Sequence, residues 1–219
     1  MFPIALCVLT LYGLDVSIKR MCYMFKYPNE TSNRLTCITF QSFILSYICG
    51  TLIEYTKKDG LGWIYHSSLR PETKQMEHYM AGYFIYDIII LMSTSRGRRQ
   101  VMFLIHHVVS LMIYFINQYY PCGNDVFNNT IILLLECSSP FMNIWKIAEE
   151  LNPNSIITRT SLFITKITYF ISRMIGMTVW LLFYFWKNYK MTMTHSLNAT
   201  SFVLVYIASI KWYRLLKNK

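Results

Sequence analysis

Residues 35–53 read LTCITFQSFILSYICGTLI, a run without a single Asp, Glu, Lys or Arg. Its length is close to the ~20 residues that an α-helix needs to cross the hydrocarbon core of a bilayer. The rest of the chain has the same character, since 54% of its 219 residues are apolar and only 15% are charged. Soluble domains carry roughly 25% charged residues. The composition therefore excludes a water-soluble enzyme, a disordered chain and a disulfide-rich secreted module, and it predicts a polytopic membrane protein.

The apolar runs predict an all-α fold, a transmembrane helix bundle with about seven spans. The predicted spans are 1–14, 35–53, 79–95, 101–124, 126–145, 160–186 and 196–210. Lys and Arg are concentrated in the connections on one side, and positively charged connections favour the cytosol. We therefore expect a lumenal N-terminus and a cytosolic C-terminus.

The connections between the predicted spans are short, and the longest, 55–78, is too short to fold as a domain. The chain is therefore predicted to be a single transmembrane domain over residues 1–219, with its function inside the bundle. The net charge of +10 is explained by contact with anionic lipid headgroups, so no nucleic-acid partner needs to be invoked.

Besides Lys166 and Arg173 in the sixth predicted span, four side chains that can carry a charge lie inside predicted spans: Asp87 in the third, His106 and His107 in the fourth, and Glu136 in the fifth. Such groups are costly in hydrocarbon and are functional candidates by default. Counted from the ends of their spans, all four lie roughly 10 Å or slightly more from the cytosolic end, at 1.5 Å per residue. Their common depth predicts one polar cavity in the cytosolic half of the bilayer.

Helical spacing also places polar side chains on common faces of these spans. His107 shares a face with Ser110, Tyr114 and Asn117, with His106 beside it. Glu136 shares a face with Ser139 and Asn143, and Arg173 lies on a polar face of the sixth span. Polar stripes also join helices structurally, and an Asp87–Arg173 ion pair would be such a contact.

A metal or haem site is not favoured by the histidines. The chain has five His, and the three outside the 106–107 pair are predicted on the opposite side of the membrane. A lone His-His-Glu set is a poor iron site. We therefore predict no metal site and no bound cofactor.

Three segments carry a resemblance to a known family: GYFIYD at 82–87, the His pair at 106–107, and ECSSPFMN at 136–143, followed by Arg173. They resemble the TLC-domain membrane proteins, with a core over residues 31–216. That family includes ceramide synthases, the translocating-chain-associated protein and small TLC-domain-containing lipid regulators. The resemblance implies a role in lipid metabolism, including sphingolipids, and residence in the endoplasmic reticulum.

The departure from ceramide synthases lies in the span after the His pair. Ceramide synthases continue there with a His-Asp, whereas this chain has Glu136-Cys137. The sequence therefore looks closer to the small TLC-domain-containing lipid regulators.

The residues leave two functional hypotheses open. The first is a His-dependent lipid N- or O-acyltransferase related to ceramide synthase, with acyl-CoA as co-substrate. Imidazole serves there as general base or transient acyl acceptor. Its predicted catalytic residues are His106, His107, Glu136 and Asp87, and its predicted substrate-binding residues are Arg173, Ser139, Asn143 and Tyr114.

The second hypothesis is a non-enzymatic protein that binds lipids, regulates membrane composition or acts in trafficking. It uses the same cavity as a headgroup pocket. Both hypotheses make membrane lipids the partners of the chain, and both leave a homo-oligomer open.

Overall fold

The computed structural model describes residues 2–27, 29–60, 62, 71–94, 98–119, 134–187 and 193–219. Within these ranges every regular element is helical. The α-helices are α1 (Phe2–Met24), α2 (Asn29–Asp59), α3 (Pro71–Thr94), α4 (Arg98–Tyr119), α5 (Ser139–Leu151), α6 (Ile156–Tyr169), α7 (Met177–Lys187) and α8 (Met193–Lys217). A 3₁₀ turn, Leu135–Ser138, leads into α5, and a π-helical segment, Phe170–Gly176, joins α6 to α7 as one continuous rod.

The prediction of an all-helical chain is confirmed for these residues. Thr31–Asp59 and Ile156–Trp186 are long and apolar enough to cross a membrane, and Phe103–Ile116 is a shorter apolar helix. These three correspond to the second, sixth and fourth predicted spans. The count of about seven spans and the orientation stay predictions, and residues 126–133 of the fifth predicted span lie outside the described part of the chain.

The outward faces of the helices are apolar. Large hydrophobic side chains point away from the protein with 68–74% of their surface exposed, among them Leu9, Met92, Ile156 and Leu182. Exposed apolar surface of this extent is costly in water but not in hydrocarbon. The exterior therefore suits contact with lipid chains.

The helices pack around three apolar clusters, two of which meet at the polar interior. One apolar cluster joins α1, α2 and α3 around Leu11, Ile44 and Phe84. The other joins α4, α7 and α8 around Trp180 and Phe202, whose ring centroids lie 3.9 Å apart. Since α3 also packs on α4, the two clusters enclose the predicted site between them.

Gly82 allows α1 to approach α3 closely. A Cβ atom at this position would lie 2.7 Å from the Cβ of Cys7 and 3.1 Å from the carbonyl oxygen of Ile4. Both neighbours belong to the α1 backbone or its first side-chain atom, so neither can rotate away. Small residues are the usual means by which membrane helices approach each other.

Gly82→Ala is therefore expected to push α1 away from α3 and to lower stability by about 1–3 kcal/mol, as overpacked cores do. Thermal unfolding of the purified protein in detergent measures the loss. Gly50→Ala in α2 is the matched control, because nothing lies within 4 Å of a Cβ atom there. Equal melting temperatures for the two variants would contradict the close-approach argument.

Candidate functional site

Glu136 is presented by the 3₁₀ turn that precedes α5. Pro140 lies at the start of α5 and has no N–H to donate to the carbonyl of Glu136. The N–H of Ser139 donates to that carbonyl instead, which is the tighter 3₁₀ pattern. The local sequence thus explains why Glu136 lies on an irregular turn at the head of the helix.

Arg173 is presented by a second irregularity, the π-helical segment Phe170–Gly176. Such segments are rare and frequently occur at functional sites. Arg173 is only 7% exposed, although it lies within an otherwise apolar rod. A buried guanidinium in this setting needs an anionic partner.

That partner is Glu136. Nη2 of Arg173 donates to Glu136 Oε1 at 2.6 Å, and the hydroxyl of Ser139 donates to Oε2 at 2.7 Å. His106 Nε2 lies 3.3 Å from Glu136 Oε1 and 3.5 Å from Arg173 Nη1. The side chains of His106, Glu136 and Arg173 are between 8% and 16% exposed, so solvent screens their charges little.

This triad lies at one end of a cavity of about 60 Å³ between α3, α4, α8 and the π-helical segment. Ser110 and Tyr114 of α4 line the cavity together with His106. The remaining wall is mostly apolar and is formed by Met80, Ala81, Phe84, Ile113, Leu135, Phe202 and Val205, with Glu77 as a further polar residue.

His107 makes a separate pair with Asp87. Its Nε2 lies 2.7 Å from Asp87 Oδ2, and the thiol of Cys37 lies 3.8 Å from Oδ1. The ring of His107 also packs edge-on against Tyr83, with centroids 6.2 Å apart. His107 is not among the described residues that line the cavity.

A third polar group links α2, α3 and α5. The amide of Asn143 donates to Gln41 Oε1 at 3.2 Å, and the amide of Gln41 donates to the hydroxyl of Tyr83 at 2.7 Å. Gln41 is 6% exposed and Tyr83 is 3% exposed. This chain of hydrogen bonds holds Tyr83 against the ring of His107.

Most of the chain matches a known protein family. The profile of the TLC domain matches residues 31–215. The chain belongs to the TLC-domain family. No characterised protein and no solved structure shows significant similarity to it. The matched range begins two residues into α2 and contains every residue of the triad, the His107–Asp87 pair and the Gln41 chain.

In this TLC domain the four predicted catalytic side chains are brought together as two His–carboxylate pairs. His107, however, was expected on the face of Ser110 and Tyr114, and the structure places His106 there instead. The reason is the rotation of α4 about its axis, which turns His106 toward the cavity and His107, about 100° further round the helix, toward Asp87. The suggested Asp87–Arg173 ion pair is also wrong, since Arg173 pairs with Glu136.

The predicted substrate-binding residues fall into two places. Tyr114 and Arg173 line the cavity. Ser139 and Asn143 make internal hydrogen bonds instead, to Glu136 and Gln41. Gln41 was not among the residues predicted from the sequence. A lone amide in the uncharged run 35–53 was the feature that could have marked Gln41 as part of the polar interior.

In the part of the chain that is described, no three His, Cys, Asp or Glu side chains are grouped as metal ligands. The nearest partner of Glu136 is the guanidinium of Arg173. A divalent cation beside His106 would have to displace that guanidinium or share Glu136 with it. The arrangement is therefore suited to proton transfer and to binding polar groups.

Arg173→Met is expected to cost about 3–5 kcal/mol of folding free energy, because it leaves the carboxylate of Glu136 buried beside uncharged partners. The measurement is thermal unfolding in detergent. The double variant Glu136→Gln/Arg173→Met removes both charges and should recover most of the loss.

Arg34→Met is the matched control for this prediction. Arg34 also pairs with a glutamate, its Nε lying 3.2 Å from Glu150 Oε1, but both side chains are more than a quarter exposed. Exposed pairs contribute about 0–1 kcal/mol. Similar losses of folding free energy for Arg34→Met and Arg173→Met would show that the interior pair contributes no more to stability than the exposed pair.

Proposed function

We propose that this chain is a His106-dependent lipid acyltransferase that takes its acyl group from acyl-CoA. Membership of the TLC-domain family indicates a lipid-related membrane protein, which supports a lipid as the substrate. The observation that carries the proposal is the imidazole of His106, which lines the cavity with Nε2 3.3 Å from Glu136 Oε1. If Nε2–H donates to this carboxylate, Nδ1 is left as the basic nitrogen.

In the proposed reaction, Nδ1 of His106 accepts the proton of a lipid hydroxyl or amine as that group attacks the thioester carbonyl. The carbon–sulfur bond of acyl-CoA then breaks, and the leaving thiolate takes the proton back from the imidazolium. The products are an acylated lipid and free CoA. A positioned general base of this kind contributes typically 10²–10⁴-fold in rate.

Glu136 and Arg173 support His106 in this scheme. Glu136 orients the ring and stabilises the imidazolium, as a buried carboxylate does beside a catalytic His. Arg173 holds Glu136 in place through the 2.6 Å contact and keeps the pair neutral overall before the proton moves.

His107 receives a positioning role in the proposal. Its ring is engaged by Asp87 at 2.7 Å and packs against Tyr83 and against the back of the wall residue Phe84, and it is not itself among the described residues that line the cavity. Asp87 thus acts through His107, which in turn fixes the segment of α4 that carries His106. Residence in the endoplasmic reticulum and a sphingolipid-type acceptor are part of the same proposal and rest on the resemblance to the TLC-domain family, which includes ceramide synthases.

One observation favours a non-enzymatic lipid-binding protein as the second candidate. Both oxygens of Glu136 already accept hydrogen bonds within the protein, from Arg173 and Ser139. A carboxylate engaged in this way is also suited to a rigid headgroup pocket without turnover. This candidate predicts lipids that copurify with the chain and depend on His106 for binding.

Untargeted lipidomics on cells that express the chain tests the two candidates. If the proposal is right, a lipid class rises with the wild type, and His106→Ala abolishes that rise at matched membrane abundance. His107→Ala should lower the product less, and mainly through lower stability, because the ring is a packing and orienting group.

The double variant His106→Ala/His107→Ala is the background control for these profiles. Wild-type and double-variant profiles that are identical would remove the acyltransferase proposal and leave the lipid-binding candidate. Loss of product in His107→Ala with full activity in His106→Ala would overturn the division of roles between the two rings.

A further inference from the structure

The cavity beside His106 has a second polar end that the proposed reaction does not use. Glu77 of α3 and Tyr114 of α4 line it there, with Ser110 between them and His106. The hydroxyl of Tyr114 is hydrogen-bonded to Nδ1 of His78 at 2.5 Å. Glu77 is a carboxylate only 6% exposed, which is rare without a functional or structural reason.

The two polar ends are separated by a fixed length of helix. Glu77 lies seven residues before Phe84 on α3, and Tyr114 lies eight residues after His106 on α4. At 1.5 Å per residue these spacings correspond to roughly 10–12 Å. Between the ends, the wall is mostly apolar apart from Ser110 and consists of Met80, Ala81, Ile113, Leu135, Phe202 and Val205.

We propose that this site takes a chain lipid that carries a hydroxyl or amine about 10–12 Å from its reacting carbonyl. The carbonyl lies at His106, the apolar stretch lies against the α3, α4 and α8 wall, and the hydroxyl or amine donates to Glu77. The assignment of the reacting end rests on the proposed function.

The carboxylate of Glu77 favours a ligand that ends in a hydrogen-bond donor over one that ends in a methyl group. A carboxylate accepts up to about four hydrogen bonds, so Glu77 has capacity for a ligand donor in addition to its protein contacts. Hydrogen bonds to charged groups contribute about 1.5–3 kcal/mol, which corresponds to roughly tenfold or more in affinity. A methyl group beside a buried carboxylate adds no such bond and removes water from it.

The size of the cavity requires its wall to move when such a ligand binds. At about 60 Å³ it holds a few water molecules, and a cavity that admits benzene is nearer 150 Å³. Met80 is the wall residue best able to rearrange, because its unbranched side chain adapts to irregular space.

The test is a binding measurement on the purified full chain in lipid nanodiscs. The probes are decanoic acid, ω-hydroxydecanoic acid and ω-aminodecanoic acid, which share one chain length and differ at the far end. We expect the hydroxyl or the amine probe to bind about tenfold tighter than the methyl probe. The comparison of the hydroxyl probe with the amine probe identifies which donor the site prefers.

Glu77→Leu should abolish this preference, and Gln75→Leu is its matched control. Gln75 lies on the same helix, but its amide donates to the hydroxyl of Tyr79 at an exposed position. Glu77→Gln serves if Glu77→Leu fails to fold, because its amide still accepts from a hydroxyl but lacks the charge that attracts an amine. It should therefore keep the hydroxyl preference and lose the amine preference.

Equal affinity of the wild type for all three probes overturns the proposal. A preference that survives in Glu77→Leu also overturns it, because the donor then binds elsewhere. His106→Ala should keep the preference, since the far end of the cavity is intact. A donor preference without any His106-dependent lipid product would count against the acyltransferase alone, and a product without the preference would count against this subsite alone.

Discussion

The interior of this TLC domain depends on one buried ion pair, Arg173 with Glu136. Two opposite charges in an apolar bundle stabilise the fold only when they meet with good geometry and when their remaining atoms are bonded. The 2.6 Å contact and the hydroxyl of Ser139 engage both carboxylate oxygens of Glu136, whereas Nε of Arg173 has no hydrogen-bond partner among the described residues. The pair therefore fixes the head of α5 against the long rod of α6 and α7, and it places a carboxylate beside His106.

Both partners of this pair lie on irregular helix. A 3₁₀ turn carries Glu136, and a π-helical segment carries Arg173. Irregular turns have poorer backbone hydrogen bonding than an α-helix, so they persist where side-chain contacts offset that cost. Here the contacts that offset this cost are those of Glu136 with Arg173 and Ser139. Glu136 also contacts the imidazole of His106, so the irregular backbone and the position of that ring depend on the same side chains.

The adjacent histidines show how one helix can serve two purposes. A rotation of about 100° per residue directs His106 toward the cavity and His107 toward α2 and α3. Each ring then meets its own carboxylate, Glu136 in one case and Asp87 in the other. His107 packs against Tyr83, which is hydrogen-bonded to Gln41, and Gln41 is in turn bonded to Asn143. These contacts connect α4 to α3, α2 and α5. Two adjacent histidines thus differ in their surroundings, since His106 lines the cavity and His107 packs against the neighbouring helices.

The sequence by itself determined that the chain is helical, apolar and built for a membrane, because uncharged runs and their lengths are properties of the chain alone. It also identified Asp87, the His pair, Glu136 and Arg173, since charges in apolar runs are costly wherever they end up. The tertiary structure decided the pairing. Depth and face follow from spacing, but the rotation of each helix about its axis follows from packing, such as the close contact at Gly82. That rotation turns His106 and His107 toward different neighbours, and it places Arg173 beside Glu136 instead of Asp87. It also brings Glu77 into the cavity, although the sequence predicted the segment of Glu77 on the far side of the membrane.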